Sequence, residues 1–408
     1  MRVLIISLDQ SILDPASEAR SRMLEYAALA DGLYVFVFAK RGSTRGSSRA
    51  DLHADQNLFI YRFSASTVGW IKALFFGRRL VREKQIDVVS SQDPFETGLL
   101  GYLIVKLMHF HTIKYESAST VGLNVQLHGD FYGNPYWRIE QLLNRLRWHL
   151  GLFVMRRAGS IRVVSERIKQ SLEARIKNQE LRIIKAPIYT DIEFFRTAKP
   201  IFNLKEKYPQ FNFIIITVAN LVPVKNLEFL INAMKKLHEI LTNAGLVIVG
   251  DGPLHKKLKA KSYKLQANNY IIFEGTQKGL VSYYKGADCL ALVSKYEGWG
   301  RVVVEAVASG LPIVMSDVGL AGELIRDEES GLVVLKRNFD QWKFRFDQNA
   351  EDDLVRALSQ VYFNENLRKK LIAGATNALQ QLPLKQETLE LIKKSWELAT
   401  RKSNGIHD

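Results

Sequence analysis

Short, nearly uninterrupted apolar runs recur through the first half of this 408-residue chain, at residues 3–8, 33–38, 59–62, 88–90, 125–128 and 161–164. Longer amphipathic stretches separate most of them. A strand that is apolar on both sides needs cover on both faces, and parallel neighbours need a long crossover between them. The alternation therefore predicts parallel sheets sandwiched by helices. After residue 184 the rhythm lapses. Lys185-Ala186-Pro187-Ile188-Tyr189-Thr190-Asp191, then Phe194-Phe195 and Pro200, read as a linker. It restarts at 213–218, 246–249, 271–273, 290–293 and 313–315, which predicts a second domain of the same kind. A chain of this length exceeds what one core organises. The expectation is α/β, with two Rossmann-like domains over residues 1–190 and 198–385, without an internal sequence repeat or low-complexity tract.

Composition narrows the setting. Apolar content of 47% and charged content of 24% are those of a chain that buries real cores. The single cysteine, Cys289, lies in an apolar run and excludes a disulfide framework or cysteine metal cluster, which suits a reducing cytoplasm. The apolar start at Met1 meets an acid at Asp9 and reads as a first strand, not a signal peptide. No window reaches the ~18 uncharged apolar residues of a membrane span.

The net charge of +15 is uneven: residues 1–200 carry 29 Lys and Arg against 19 Asp and Glu. Nucleic acid, an anionic membrane surface or a diphosphate-bearing substrate would each suit such a bias. The sequence has no zinc-finger spacing, RNP-like aromatic motif or basic arm, so the nucleic-acid reading is weak. For the membrane, the stretch from Trp70 through Lys72, Phe75 and Phe76 to Arg79, with Arg145, Arg147, Arg156 and Arg157, puts bulky apolar and basic residues close together. An ordinary core-facing helix with a solvated basic face reads the first of these stretches better, because its apolar stripe is not cleanly segregated.

The stretch with most chemistry is Ser294-Lys295-Tyr296-Glu297-Gly298-Trp299-Gly300-Arg301-Val302-Val303-Val304-Glu305-Ala306, followed by Ser309-Gly310-Leu311-Pro312. It leaves a strand, turns on two glycines and enters a helix. The helix N-terminus then stands at the C-terminal edge of a sheet, where anions bind in open α/β folds. Glu297 and Glu305 bracket the turn, with seven residues between them. Read as solvated surface acids they fit poorly: the glycines cost backbone entropy, and Glu305 sits within Val302, Val303, Val304, Ala306 and Val307, where a lone carboxylate is expensive.

Glu-Gly-Trp-Gly-Arg-Val-Val-Val-Glu-Ala, then Ser-Gly-Leu-Pro-Ile-Val, resembles the Glu-x7-Glu signature of retaining, nucleotide-sugar-dependent glycosyltransferases of the family 4 type. The resemblance implies a GT-B-like fold, two Rossmann-like domains facing a central cleft, and a last helix, 386–401, crossing back onto the first domain. It implies transfer of a sugar from a nucleoside diphosphate to a hydroxyl acceptor, a glycan or lipid-linked glycan in cell-surface polysaccharide synthesis. It assigns Glu297 to the donor sugar, Glu305 to the ribose, and Gly298, Trp299, Gly300 and Arg301 to donor binding.

Other segments agree with it. Thr217 to Asn226 resembles the family's Gly-Arg-Leu…Lys phosphate loop, with Lys225 as the diphosphate's cation and Asn220 where the family has Arg; an amide donates a hydrogen bond but brings no charge. Gly250-Asp251-Gly252-Pro253 looks like the family's Gly-x-Gly-Pro turn, and Glu274-Gly275-Thr276 would lie by the base. In the first domain His128 ends a strand and is followed by Gly129 and Asp130, a pattern the family keeps near the donor sugar; a lone histidine there is otherwise an ordinary core or surface residue. Asp9, Gln92, Asp93 and Asp130 are the acceptor-side candidates. The first loop, Asp9 to Pro15, departs from the family in lacking its Gly-Gly pair.

No Asp-x-Asp and no His/Cys cluster with metal spacing occurs, so no cofactor and a metal-independent reaction are expected, with Lys225 and the helix start beside Gly298 stabilising the departing diphosphate. Two other readings stay open: another GT-B-fold catalyst, an epimerase or a phosphorylase, and a non-catalytic scaffold that binds polyanions.

Overall fold

The computed structural model describes residues 1–39, 52–55, 57–112, 121–176, 182–335 and 349–400. The polar and aromatic stretch expected as a surface excursion, 336–350, lies almost wholly outside them. The chain divides into two units. One comprises Met1–Gly133, Trp137–Pro187 and Gln386–Asp408, the other Asn134–Tyr136 and Ile188–Lys385.

The first unit holds an eight-stranded sheet of β1 (Arg2–Ser7), β2 (Gly32–Ala39), β3 (Leu52–Asp55), β4 (Leu58–Ser64), β5 (Val88–Ser91), β6 (Gly122–Leu127), β7 (Ser160–Val163) and β8 (Ile183–Lys185). Their order is β3-β4-β2-β1-β5-β6-β7-β8. Only β3 runs antiparallel, pairing with β4 as an edge hairpin. β1, β2 and β6 are buried along nearly their whole length: β2 and the centre of β1 are apolar throughout, whereas β6 buries the amides Asn124 and Gln126 among its apolar residues. β8 corrects the linker reading: Lys185 pairs with Val163 at the end of the sheet, and the break between units falls at Pro187 and Ile188.

The second unit holds six strands, all parallel: β9 (Phe213–Val218), β10 (Ala244–Val249), β11 (Ile271–Gly275), β12 (Cys289–Leu292), β13 (Ile313–Ser316) and β14 (Leu332–Val334), in the order β11-β10-β9-β12-β13-β14. Cys289 is a free thiol buried in β12, its pKa pushed far up by burial. Among the described residues no helix is long and apolar enough to cross a membrane.

The last helix, Lys385–Thr400, packs on the first unit. Ile392, Trp396 and Ala399 join Val3, Ile5, Leu33, Val35 and Val88 in one cluster, and the Trp396 ring meets Tyr26 edge to face at 6.1 Å. Gly122 and Gly159 let it come so close: a Cβ on either would stand 2.3 Å and 2.5 Å from the Ala399 carbonyl oxygen. Because Trp396 is fully buried, Trp396→Ala is expected to cost about 3–5 kcal/mol. Denaturant unfolding checks this, and an unchanged midpoint would mean the helix contributes nothing to the first core.

Candidate active site

In the second unit β9 is flanked by β10 on one side and β12 on the other, so the chain reverses its direction of travel across the sheet there. The loops after β9 and β12 diverge, and the crevice at such a point is the usual ligand site of an open α/β sheet. The two loops are tied together, the Lys295 N–H donating to the Val224 carbonyl at 2.8 Å.

Lys225 ends a short 3-10 turn, Pro223–Lys225, and Asn226, in the left-handed region at φ 54°, turns the chain into the helix Leu227–Ile240. Lys225 Nζ reaches Glu297 Oε1 at 2.5 Å, and Ser294 Oγ donates to the same oxygen at 2.8 Å. The two side chains are 22% and 13% exposed, so the pair sits in a recess that solvent still enters. Gly300, at φ 91°, leads into the helix Arg301–Ala308, whose first turn no side chain caps. Gly319 closes against the same turn: at φ 53° a Cβ there would stand 2.9 Å from both Glu297 Cβ and the Trp299 carbonyl oxygen. The Trp299 side chain is buried, which leaves its backbone as what it can offer a ligand.

Glu305 is 4% exposed. Tyr284 OH donates to its Oε2 at 2.9 Å, and an Arg301 guanidinium nitrogen stands 3.4 Å from its Oε1. Burial and this carboxylate together push the Tyr284 phenol far above its ordinary range, so it remains a donor. The glycine turn after β10 serves packing. A Cβ on Gly250 would stand 2.0 Å from the Ala219 carbonyl oxygen and one on Gly252 2.5 Å from Asn220 Oδ1, so both glycines let this turn press against the loop after β9. At the end of β11, Gly275 has φ 66° with open space above it. Glu274 beside it is held by Tyr208, Lys207 and Tyr283, and Thr276 follows on the loop.

In the first unit the acceptor-side acids each shape their own loop. Asp9 Oδ1 accepts the Ser11 N–H at 3.0 Å, Asp93 Oδ1 the Phe95 N–H at 2.7 Å, and Asp130 Oδ1 the Gly133 N–H at 2.8 Å. Gln92 Oε1 accepts from Ser7 Oγ at 2.5 Å, linking the ends of β5 and β1. His128, half-buried just beyond β6, has Nε2 3.1 Å from Gln126 Oε1. Among the described residues no group of three or more His, Cys, Asp or Glu is arranged to hold a metal ion.

Residues 201–378, nearly the whole second unit, match the family model of glycosyl transferases group 1. The second unit is thus similar to the glycosyl transferases of group 1. An uncharacterised glycosyltransferase of Methanocaldococcus jannaschii is 37% identical over 140 residues, 34% of this chain and 36% of that one. A UDP-Gal:alpha-D-GlcNAc-diphosphoundecaprenol alpha-1,3-galactosyltransferase of Escherichia coli is 22% identical over 311 residues, 74% of this chain and 75% of that one. Alignment to the first thus spans about a third of each chain, to the second about three quarters. Among solved structures, Anabaena HepE in complex with UDP and glucose superposes with a TM-score of 0.69 at 16% identity, covering 97% of this chain and 98% of that one. At that identity the likeness speaks for the fold, two parallel-sheet α/β domains of the GT-B kind.

Three residues of this candidate site carry no signal in the sequence. Ser294, Tyr284 and Gly319 act only through the carboxylates they meet in space, and neither an isolated Ser or Tyr nor a glycine in Val-Gly-Leu announces that. Asp93 gives a test of the loops. Burial pushes its carboxyl up to about 6 against the opposing pull of the Thr97 and Phe95 hydrogen bonds. A raised acid pKa means the folded state binds the extra proton between about pH 4 and 6, so stability falls as pH rises through that window. Asp93→Asn keeps the acceptor oxygen and removes the charge, and is expected to raise stability at pH 8 but not at pH 4. Equal shifts at both pH values in urea unfolding would contradict the assignment.

Proposed function

We propose that this glycosyltransferase moves a sugar from a nucleoside-diphosphate donor to a hydroxyl of a glycan or lipid-linked acceptor, with retention at the anomeric carbon and without a metal ion. The observation that carries the reading is the Lys225 and Glu297 ion pair at the switch point, beside the uncapped start of the helix Arg301–Ala308. A diphosphate arriving there meets a lysine ammonium, a helix N-terminus and Arg301, a set of fixed positive ends that stabilises the leaving group as its charge develops. In taking Lys225 it releases Glu297, whose carboxylate then turns to a sugar hydroxyl, with Ser294 still holding one oxygen. Glu305, fixed by Tyr284, binds the ribose. Departure and attack on one face of the sugar, through an oxocarbenium-like state, give retention without a covalent nucleophile. The nucleotide-bound neighbour supports a nucleoside diphosphate as donor, and the E. coli relative, named for a diphospho-lipid acceptor, supports a lipid-linked one.

The test is a panel of nucleotide sugars assayed for transfer and donor hydrolysis in EDTA. Glu297→Gln is expected to lower kcat by about one to three orders of magnitude, because its contacts change as charge develops at the anomeric carbon. Glu305→Gln is expected to act mainly on donor KM, since ribose contacts are uniform through the reaction. Folded variants with native kcat and KM would remove the pair from the site, and activity restored only by Mg²⁺ or Mn²⁺ would overturn metal independence.

The same reading places the first unit against an anionic membrane, as access to a lipid-linked acceptor requires. Trp70 and Phe76 turn inward, Trp70 stacking on Phe38 at 3.8 Å and Phe76 packing on Tyr61 at 5.0 Å. Val68, Ile71 and Phe75, at i, i+3 and i+7 of the helix Thr67–Lys84, are left 62%, 51% and 61% exposed. The helix Leu142–Met155 exposes Leu142, Leu146 and Phe153, with Arg145, Arg156 and Arg157 also exposed. Apolar stripes with a basic surround fit anionic headgroups. Sedimentation with anionic but not neutral vesicles is expected, and Leu142→Gln with Leu146→Gln should weaken it; absence of binding at low salt would sink this placement.

A further inference from the structure

Below the strand end that carries His128 lies a guanidinium that the chemistry above does not use. Arg162 in β7 is 1% exposed. Its donors go to neutral oxygens: Nε to the Ala186 carbonyl at 3.3 Å, one terminal nitrogen to Gln126 Oε1 at 3.0 Å and Tyr26 OH at 3.4 Å, the other to the Pro187 carbonyl at 3.5 Å. No carboxylate among the described residues pairs with it. A buried cation without a counter-ion costs stability that an apolar residue in β7 would not.

Its position has a logical consequence for the histidine. An arginine only donates, so the Gln126 atom that faces it is the amide oxygen. The far end of the same network fixes that orientation independently. The Ser395 carbonyl only accepts, so Ser160 Oγ donates to it at 2.6 Å. Ser160 Oγ in turn accepts from Asn124 Nδ2 at 2.8 Å, Asn124 Oδ1 accepts from Ser90 Oγ at 2.7 Å, and Ser90 Oγ accepts from Gln126 Nε2 at 2.9 Å. Both ends leave Gln126 Oε1 toward His128 Nε2 at 3.1 Å. An oxygen cannot donate, so Nε2 carries the hydrogen.

The charges around the ring keep it neutral. Arg162 faces it from β7 and Arg22 from the helix Glu18–Ala27; with burial, the larger cause, they push the imidazole pKa down to about 3. Of the acids on that side, Asp9 stands 4.0 Å from Arg22, and Asp130 accepts the Gly133 N–H.

We propose that Arg162 is a positioning residue: through Gln126 it fixes His128 as the neutral tautomer with hydrogen on Nε2, leaving Nδ1 to accept a hydrogen bond from a substrate hydroxyl. His128 is then an acceptor for a sugar hydroxyl and not a proton donor; only the identity of that hydroxyl rests on the transferase reading. The guanidinium touches no substrate and acts by orienting an amide and by repelling a proton.

Long-range proton–nitrogen correlation on the full chain labelled with ¹⁵N-histidine reads the tautomer directly and needs no substrate, so it stands or falls apart from the transferase reading. Wild type is expected to show His128 with hydrogen on Nε2 and no titration between pH 8 and 5. Arg162→Met is expected to mix the tautomers and to raise the histidine pKa part of the way back, by about one unit, since burial and Arg22 remain, so that titration followed below pH 5 begins at a higher pH than in wild type. Arg162→Lys keeps the charge and is expected to hold the pKa low. Gln126→Leu, which leaves the guanidinium in place, serves where Arg162→Met does not fold, and should loosen the tautomer while changing the pKa less. A wild-type ring with hydrogen on Nδ1 overturns the proposal. So does a folded Arg162→Met whose His128 tautomer and titration match wild type.

Discussion

Parallel strand pairing is the constraint from which the rest follows. A parallel neighbour is reached only by crossing over the sheet, so each strand ends at the same edge and each functional loop leaves from it. Burial on both faces makes the strands apolar and leaves their ends as the place where polar chemistry meets a rigid frame. In the second unit that edge gathers Lys225, Glu297 and the start of the helix Arg301–Ala308. In the first it carries Asp9, Gln92, Asp93, His128 and Asp130. The side chains of β12 are apolar but for the buried Cys289 thiol, yet the position of β12 in the strand order sets which loops diverge.

The same logic explains how much was legible. Long, doubly buried strands such as β2 and β9 announce themselves, because an apolar run without alternation has few other uses. The edge strands β3, β8 and β14 do not, since three or four residues with one pairing partner need no such run; of β8 only its last residue, Lys185, falls in the stretch that reads as a linker. Residues 134–136 group with the second unit, which no local pattern could reveal. The glycine turn and its two glutamates were readable as a local string. What holds each carboxylate was not: Ser294 is near in sequence but ordinary, whereas Lys225 and Tyr284 arrive from other strands and helices. The network from Ser395 to His128 is invisible for the same reason, since its five side chains and one carbonyl come from β5, β6 and the residue just beyond it, β7 and the last helix.

Charge is handled differently in the two units. The second unit meets the Lys225 ammonium with the Glu297 carboxylate, so an anion that enters there must exchange partners. In the first unit Arg162 has only neutral acceptors, and its field is felt by whatever lies at the strand end. One arrangement makes a replaceable contact, the other a permanent one. A replaceable ion pair costs little to break where solvent still reaches it, while a caged guanidinium can neither leave nor be titrated.

That contrast also separates the two glutamates. Glu297 sits in a glycine loop, is 13% exposed at its side chain, and holds a lysine that an entering anion can reach. It is therefore a group that can change partner. Glu305 rises from a helix, is 5% exposed at its side chain, and is held by a buried phenol that burial and the carboxylate keep protonated. A carboxylate that changes partner can follow charge as it develops at a reacting carbon. One that is fixed can only hold what remains unchanged, and in a sugar nucleotide that is the ribose.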